Sequence, residues 1–96
     1  MASFEVFIKP SAIKEIEAIE GKKDRQRVVG RIQDLANDPR PPGCEKLSGE
    51  EKYRVRQGDY RIVYGIDDKK SMVTVVKVGH RREIYRRIGI PRSRSG

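Results

Sequence analysis

Three blocks of sequence decide the fold, and they read Tyr53-Arg-Val-Arg56, Gly58-Asp-Tyr-Arg-Ile-Val-Tyr64 and Val73-Thr-Val-Val-Lys-Val-Gly-His-Arg81. Apolar and polar side chains alternate in the first two blocks, which is the period-two pattern of strands with one buried face. Gly58-Asp59 between them is typical of a two-residue hairpin turn. Met72 to Val78 is apolar on both faces apart from two residues, which indicates a central strand. The blocks predict a three-stranded antiparallel meander.

Arginines occupy the face of this meander that is opposite its apolar residues. Arg54 and Arg56 share one face of the first strand, and the two-residue turn places Arg61 beside them. Arg81, after the third strand, can reach the same surface. Converging guanidinium groups repel one another, so an anion is the expected counter-charge, and we predict a nucleic-acid-facing surface. The alternative is that these arginines are solvated or paired with acidic neighbours, namely Glu50, Glu51, Asp59 and Glu83.

Two tyrosines and one histidine add candidate chemistry to this surface. Tyr85, and also Tyr53, offers a flat ring on which an unpaired base would stack. An imidazole is the side chain most suited to general-base catalysis near neutral pH, so His80 is either a general base or a strand-end residue that bonds a backbone carbonyl. The chain has one histidine and one cysteine, so neither a metal site nor another cofactor is expected. Cys44 is interpreted as incidental because the only histidine is far away in the chain.

The first half of the chain predicts a strand and a pair of helices. Residues 4–8 alternate like a short strand, and Pro10 opens a helix that continues to Gly21. A second helix is predicted from Lys22 to Asn37, followed by a connector with little structure of its own. With a short helix or turn over residues 81–87, the fold class is α+β, with the helix pair antiparallel and both helices on one face of the sheet. We expect one domain over residues 1–90 and a flexible basic tail over residues 91–96.

The charge of the chain is concentrated in its second half. The chain carries 22 Lys and Arg against 14 Asp and Glu, for a net charge of +8. Residues 1–51 contribute nine basic and ten acidic side chains, whereas residues 52–96 contribute thirteen and four. Such a distribution suits a phosphate backbone as partner. The sequence has neither a ~20-residue apolar span nor a signal-peptide pattern, and its single cysteine fits a reducing compartment, so a cytoplasmic location away from membranes is expected.

The same blocks resemble the RelE branch of the RelE/ParE toxin superfamily. The resemblance is carried by Lys46-Leu-Ser-Gly49, by Tyr53-Arg-Val-Arg-Gln-Gly-Asp-Tyr-Arg-Ile-Val-Tyr64 and by Val78-Gly-His-Arg-Arg-Glu-Ile-Tyr-Arg86. Pro10-Ser-Ala-Ile-Lys-Glu-Ile16 and Asp38-Pro39 are similar as well, so the resemblance covers nearly the whole chain. It implies a compact α+β toxin of a type II toxin–antitoxin pair.

The resemblance also implies an activity and a set of residues. RelE-type toxins enter the ribosomal A site and cut mRNA there. A 2′-hydroxyl attacks the adjacent phosphate and leaves a 2′,3′-cyclic phosphate and a 5′-hydroxyl. Arginines would stabilise the charge of the transition state, Arg81 would assist the leaving oxygen, and Tyr85 would orient the base. The implied catalytic residues are Arg54, Arg56, Arg61, Arg81 and Tyr85, with His80 as a further candidate. Residues expected to contact RNA or the ribosome are Lys52, Tyr53, Lys77, Arg82 and Arg86.

Two questions stay open within this resemblance. The best-described member has lysines where this chain has Arg54 and Arg56, and an arginine effectively cannot lose its proton. Either His80 is the general base, or catalysis depends on positioning and electrostatics with weak base assistance, which is what we expect. ParE-type relatives share the fold but poison DNA gyrase by binding, so gyrase poisoning is the alternative function. A third possibility is a degenerate member that binds only its antitoxin and operator DNA.

The partners follow from the resemblance. A RelB-like antitoxin is implied, with an acidic or amphipathic segment that wraps the helices and sheet and covers the basic face. The ribosomal A site with its mRNA and rRNA is the implied target. Operator DNA is expected to be bound through the toxin–antitoxin complex, with the antitoxin as the part that reads DNA.

Overall fold

The helices and the longer strands of the described residues pack around one apolar core. The computed structural model describes residues 3–47 and 51–80. Its elements, in chain order, are β1 (Glu5–Ile8), α1 (Pro10–Glu17), α2 (Lys22–Asp34), β2 (Glu45–Lys46), β3 (Lys52–Gln57), β4 (Tyr60–Asp67) and β5 (Met72–His80). This order confirms the predicted α+β class and the strand, helix pair and meander sequence of elements.

The five strands form one mixed sheet in the order β1-β5-β4-β3-β2. β3, β4 and β5 are the predicted antiparallel meander, and β5 lies inside the sheet with a neighbour on each side. β1 joins β5 in the parallel direction. The turn between β3 and β4 has two residues, as predicted, because Gln57 pairs with Tyr60. Gly58 has a φ of +62° there, a conformation that glycine adopts at little cost.

One face of the sheet carries the core. Fully buried residues of β3 and β4, such as Val55, Ile62 and Tyr64, pack with Val28 and Ile32 of α2. The register between β4 and β5 shifts at Val63/Tyr64. The shift works as a bulge that turns the rest of β5 over. As a result β5 buries three valines that do not follow a strict alternation, namely Val73, Val75 and Val78.

The helices are shorter than predicted. α1 ends at Glu17 instead of continuing to Gly21, because the Ile19 amide donates to the Ile16 carbonyl in a tighter turn that still buries the Ile19 side chain. α2 likewise ends at Asp34 and passes through tight turns as far as Asn37. Tertiary packing sets these ends, since apolar spacing continues past both of them.

The connector after α2 is more ordered than predicted. It contains β2, whose two residues pair with Tyr53 and Arg54 of β3. The buried Tyr64 hydroxyl donates a hydrogen bond of 2.7 Å to the Pro39 carbonyl, and burial raises the pKa of this phenol well above its usual value. Arg40, the next residue of the connector, donates a hydrogen bond of 3.2 Å from its Nε to the Tyr53 hydroxyl of β3. These contacts hold the connector against the sheet.

A side chain of α1 completes the edge of β5. β1 ends at Ile8, opposite Val75, so β5 continues beyond its parallel neighbour. Glu15 takes the place of the missing strand. Its Oε1 accepts a hydrogen bond of 2.8 Å from the Val78 amide, and its Oε2 lies 2.5 Å from Lys77 Nζ. The carboxylate therefore satisfies a backbone donor and a cation that are both largely removed from water.

Two sequence predictions fall on residues outside the described ranges. These are the C-terminal helix or turn over residues 81–87 and the basic tail over residues 91–96. Among residues 3–47 and 51–80, no helix is both long and apolar enough to cross a membrane.

The Glu15 contacts predict a specific loss of stability. We expect Glu15→Ala to lower the free energy of unfolding by about 1–3 kcal/mol, because the Val78 amide loses its acceptor in a water-poor site. Glu15→Gln keeps an acceptor oxygen and should lose less. Urea unfolding measures the stability, and amide hydrogen exchange at Val78 reports the local effect. Glu17→Ala, an exposed change on the same helix, is the control. Equal losses for the Glu15 and Glu17 variants would contradict this role.

Candidate nucleic-acid interface

The hairpin of β3 and β4 brings three of the predicted arginines together. Arg56 lies directly opposite Arg61 in the strand register, and Arg54 lies opposite Val63 on the same face. This face points away from the core because its residues alternate with the buried Val55 and Tyr64. Like charges directly opposite each other destabilise a sheet. An anion bound between the two guanidinium groups would turn this repulsion into a net attraction.

The arginines border a cavity at the edge of β3. β2 pairs only with Tyr53 and Arg54, so the edge of β3 is open from Val55 onward. The cavity there has a volume of about 370 Å³, within the range of ~300–1,000 Å³ that is usual for ligand sites. Its lining residues are Arg31, Gly43, Glu45, Arg54, Val55, Arg56 and Arg61.

The lining of this cavity is strongly cationic. Four guanidinium groups and one carboxylate line it, which gives a net charge of +3. Two nitrogens, Arg31 Nε and Arg61 NH1, are buried and have no hydrogen-bond partner within the described part of the chain. A buried donor without an acceptor costs about 1–3 kcal/mol, and more when it belongs to a charged group. Phosphate oxygens are acceptors of the right charge and geometry for guanidinium groups, so the cavity fits a phosphate.

Glu45 is the carboxylate of the cavity, and the sequence analysis missed it. It stands opposite Arg54 across β2 and β3 and forms an ion pair with it. The hydrogen bond and charge of Arg54 lower the pKa of Glu45, and the charge of Arg61 lowers it further. Glu45 is therefore ionised at neutral pH, and it occupies Arg54 as an external anion would.

Arg31 is the second residue that the sequence analysis missed. It lies in α2, three residues after Val28 and one residue before Ile32. The side chains of Val28 and Ile32 are both fully buried. Its position therefore borders the apolar stripe of the helix. On the sequence alone it belongs to the polar face, together with the exposed Arg27. The signal that could have identified it is this border position, since a long cationic side chain there can lie along the core.

Tyr53 does not lie on the arginine face. Its ring is 7% exposed and stacks on Tyr64 with 5.9 Å between the ring centroids. The Arg40 guanidinium covers it at 5.2 Å from the ring centroid. The period-two alternation explains this placement, because Tyr53 shares the core side of β3 with Val55.

Lys77 and His80 are also held apart from the cavity. Lys77 is paired with Glu15 of α1. The bulge in β5 turns His80 toward the helices, where it lines a second cavity of about 180 Å³ with Glu15 of α1 and with Ile19, which follows that helix. Its imidazole meets the Tyr60 ring edge-on, with 5.7 Å between centroids. The structure thus places the imidazole and the three sheet arginines on different sides of the sheet.

Of the other residues predicted to act in catalysis or RNA binding, one lies within the described ranges and four do not. Lys52 opens β3 opposite Gly65, two residues from Arg54 and on the same face of the strand. The others lie outside the described residues, and they are Arg81, Arg82, Tyr85 and Arg86.

Comparison with known proteins gives a family match and one curated relative. Residues 6–85 match the family described as the ParE toxin of the type II toxin–antitoxin system parDE. The relative is Toxin RelG of Mycobacterium tuberculosis (strain ATCC 25618 / H37Rv), which is 39% identical over 57 residues. That alignment spans 56% of this chain and 63% of the relative, so it covers less than two thirds of the relative's length.

Solved structures of similar proteins share the fold. The RelE–RelB complex from Pyrococcus horikoshii OT3 superposes with a TM-score of 0.74 at 26% identity, over 82% of this chain and 96% of the other. A mutant of the E. coli toxin RelE in the free state gives a TM-score of 0.70 at 28% identity, over 90% and 93% of the two chains. The toxin–antitoxin complex RelBE2 from Mycobacterium tuberculosis gives 0.72 at 25% identity, over 81% and 98%.

The position of Glu45 predicts that it weakens anion binding. We expect Glu45→Gln to tighten binding of a short single-stranded RNA by about two- to fivefold, in keeping with the modest strength of exposed ion pairs, because Arg54 is released from its internal partner. Fluorescence anisotropy at low salt measures the affinity. Glu51→Gln makes the same change of charge at an exposed carboxylate that pairs with Lys46, and it is the matched control. An equal gain in both variants would mean that net charge alone is responsible.

Proposed function

This chain belongs to the ParE toxin family of type II toxin–antitoxin systems, within the RelE/ParE superfamily, and we propose that it is a ribosome-dependent mRNA endoribonuclease that cuts in the A site. The predicted membership of the superfamily is confirmed, and the activity is our proposal. It is supported above all by the four-guanidinium cavity at the edge of β3. A ribosomal target places its action in the cytoplasm.

The proposed reaction is an internal phosphoryl transfer. The oxygen of a ribose 2′-hydroxyl attacks the adjacent phosphorus while the bond from phosphorus to the 5′-oxygen breaks. The products are a 2′,3′-cyclic phosphate and a 5′-hydroxyl, so one proton leaves the 2′-oxygen and one is taken up by the 5′-oxygen. Arg61, with Arg54 and Arg56 beside it, faces the phosphate and stabilises the extra negative charge of the transition state. Arg81 assists the leaving oxygen and Tyr85 holds the base.

In the proposed reaction, removal of the proton from the 2′-hydroxyl is only weakly assisted by a general base. Guanidinium groups stay protonated at physiological pH and cannot accept it. His80 faces the helices and not the cavity, which supports a mechanism that depends on positioning and electrostatic stabilisation. The arginine pair opposite each other in the sheet, Arg56 and Arg61, is then arranged before the substrate arrives, and such preorganised charge lowers a barrier effectively.

An antitoxin is the second proposed partner. Structures similar to this one include RelE–RelB and RelBE2 toxin–antitoxin complexes. We propose that a RelB-like antitoxin lays an acidic or amphipathic segment over the helices and sheet and neutralises the cationic cavity. Binding of the complex to operator DNA would follow through the antitoxin. In this arrangement the antitoxin carboxylates extend the role that Glu45 has inside the chain.

DNA gyrase poisoning is the second candidate function. The observation that favours it is the family match itself, since that family is described by its ParE toxins. A gyrase poison acts by binding and does not need a cluster of guanidinium groups that could stabilise a phosphoryl-transfer transition state. The cavity therefore favours RNA cleavage, and one experiment separates the two functions.

Primer extension on a defined mRNA in a translating extract tests the nuclease. We expect cuts at A-site codons with the wild-type chain. Arg61→Ala should reduce them by about 10²–10³-fold, as for the loss of one preorganised charge donor, and Arg81→Ala should also reduce them. Arg27→Ala, at an exposed arginine of α2, is the control and should cut normally. Intact mRNA together with gyrase-dependent DNA breaks would replace this proposal with gyrase poisoning, and intact mRNA without such breaks would leave a binding protein.

A variant of His80 tests the proposed absence of an essential general base. We expect His80→Ala to keep more than about a tenth of the cleavage rate, because general-base catalysis is typically worth about 10²–10⁴-fold and the imidazole faces away from the cavity. The measurement is single-turnover cleavage on programmed ribosomes over a range of pH. A loss greater than tenfold, together with a lost pH dependence near neutrality, would identify His80 as the base.

A further inference from the structure

Arg31 reaches the cavity from α2, whereas the other three arginines of the lining come from the sheet. We propose that Arg31 is a positioning residue that binds an RNA phosphate next to the reacting one, and this inference rests on the proposed function. The sheet supplies Arg54, Arg56 and Arg61 to one wall of the cavity, whereas α2 supplies Arg31 to another. Because the two walls belong to different elements, a single strand of RNA passing between them would contact both.

The backbone of Arg31 is held rigidly. Its neighbours Val28 and Ile32 are 0% and 1% exposed and belong to the core. The side chain therefore starts from a fixed point, and its partly buried stem loses little further freedom when a ligand binds. Its Nε is already buried without a hydrogen-bond partner in the described residues. The Arg31 side chain lines the cavity, so a charged group is in place there before an anion binds.

The shape of the cavity favours a phosphodiester chain over an isolated anion. Its volume of about 370 Å³ exceeds what one phosphate requires. Arg31 and Arg61 come from different elements and line the same cavity, and each carries one buried nitrogen without a hydrogen-bond partner in the described residues. A ligand with anionic oxygens on successive phosphates can pair with both guanidinium groups. Arg61 then holds the reacting phosphate and Arg31 holds a neighbouring one, so Arg31 orients the strand without touching the reacting atoms.

The salt dependence of RNA binding tests this assignment. The probe is an oligoribonucleotide with a single 2′-deoxy position that prevents cleavage. We expect Arg31→Gln to weaken its binding about tenfold and to reduce the slope of log Kd against log salt by about 0.7, the value for one phosphate contact on a single strand. Arg31→Lys should retain the slope, because the charge remains. Arg27→Gln removes the same charge one turn away at an exposed site and should change neither quantity.

Two controls separate a contact from a structural effect. The urea midpoint of Arg31→Gln should be no lower than that of Arg27→Gln, because the change lies outside the core and removes a donor that has no hydrogen-bond partner in the described residues. On programmed ribosomes Arg31→Gln should raise KM by about tenfold with kcat changed less than about threefold, since a positioning contact of this kind acts on binding. A change confined to kcat, or an unchanged salt slope, would overturn the assignment.

An NMR titration observes the contact without any mutation. In the wild-type chain the Nε–Hε resonance of Arg31 should shift when the 2′-deoxy oligoribonucleotide is added, whereas that of Arg27 should stay in place. A shift together with intact mRNA in the extract would support the phosphate contact and reject the nuclease. Cleaved mRNA together with an unmoved Arg31 resonance would support the nuclease and reject the contact. The two proposals therefore fail separately.

Discussion

The buried hydrogen bond from the Tyr64 hydroxyl to the Pro39 carbonyl is the contact on which the arrangement of the site depends. Tyr64 lies in the middle of the sheet and is fully buried, and Pro39 lies in the segment that leaves α2. Fixing this carbonyl directs the connector across the sheet, so that β2 reaches the edge of β3 beside Arg54. β2 then ends after two residues, and the uncovered edge of β3 becomes the cavity. The position of Glu45 and the opening of the cavity both follow from this path.

The two faces of the sheet separate the apolar core from the surface that we propose binds RNA. Residues of β3 and β4 that face the helices form the apolar core, and the residues between them place Arg56 opposite Arg61 on the other face. That pair of like charges opposes folding, and the buried core offsets its cost. Strain of this kind is expected where a local rule of stability gives way to function. Removing the arginines would therefore be expected to cost binding while leaving the fold intact.

The sequence was sufficient for the meander and for the arginine face, because both depend on alternation within short segments. The meander, its two-residue turn and the shared face of Arg54, Arg56 and Arg61 all follow from a period of two. Features that depend on contacts between residues far apart in the sequence could not be predicted. The bulge opposite Tyr64 turns His80 toward the helices, and the short β2 brings Glu45 to the cavity. Arg31 on α2 joins the sheet arginines only once the chain has folded.

The parallel pairing of β1 with β5 links the order of synthesis to the order of folding. Glu5 pairs with Met72 and Ile8 with Val75. The first strand to be synthesised therefore cannot pair until the last described strand has been synthesised. Closing so long a loop costs conformational entropy, and this cost is offset only when the contacts between β1 and β5 have formed. A nascent chain that ends before β5 lacks the buried valines of that strand and the edge that Glu15 completes. The sheet that carries the proposed RNA site is therefore complete only when most of the chain has left the ribosome that makes it, which would delay the proposed action on that same ribosome.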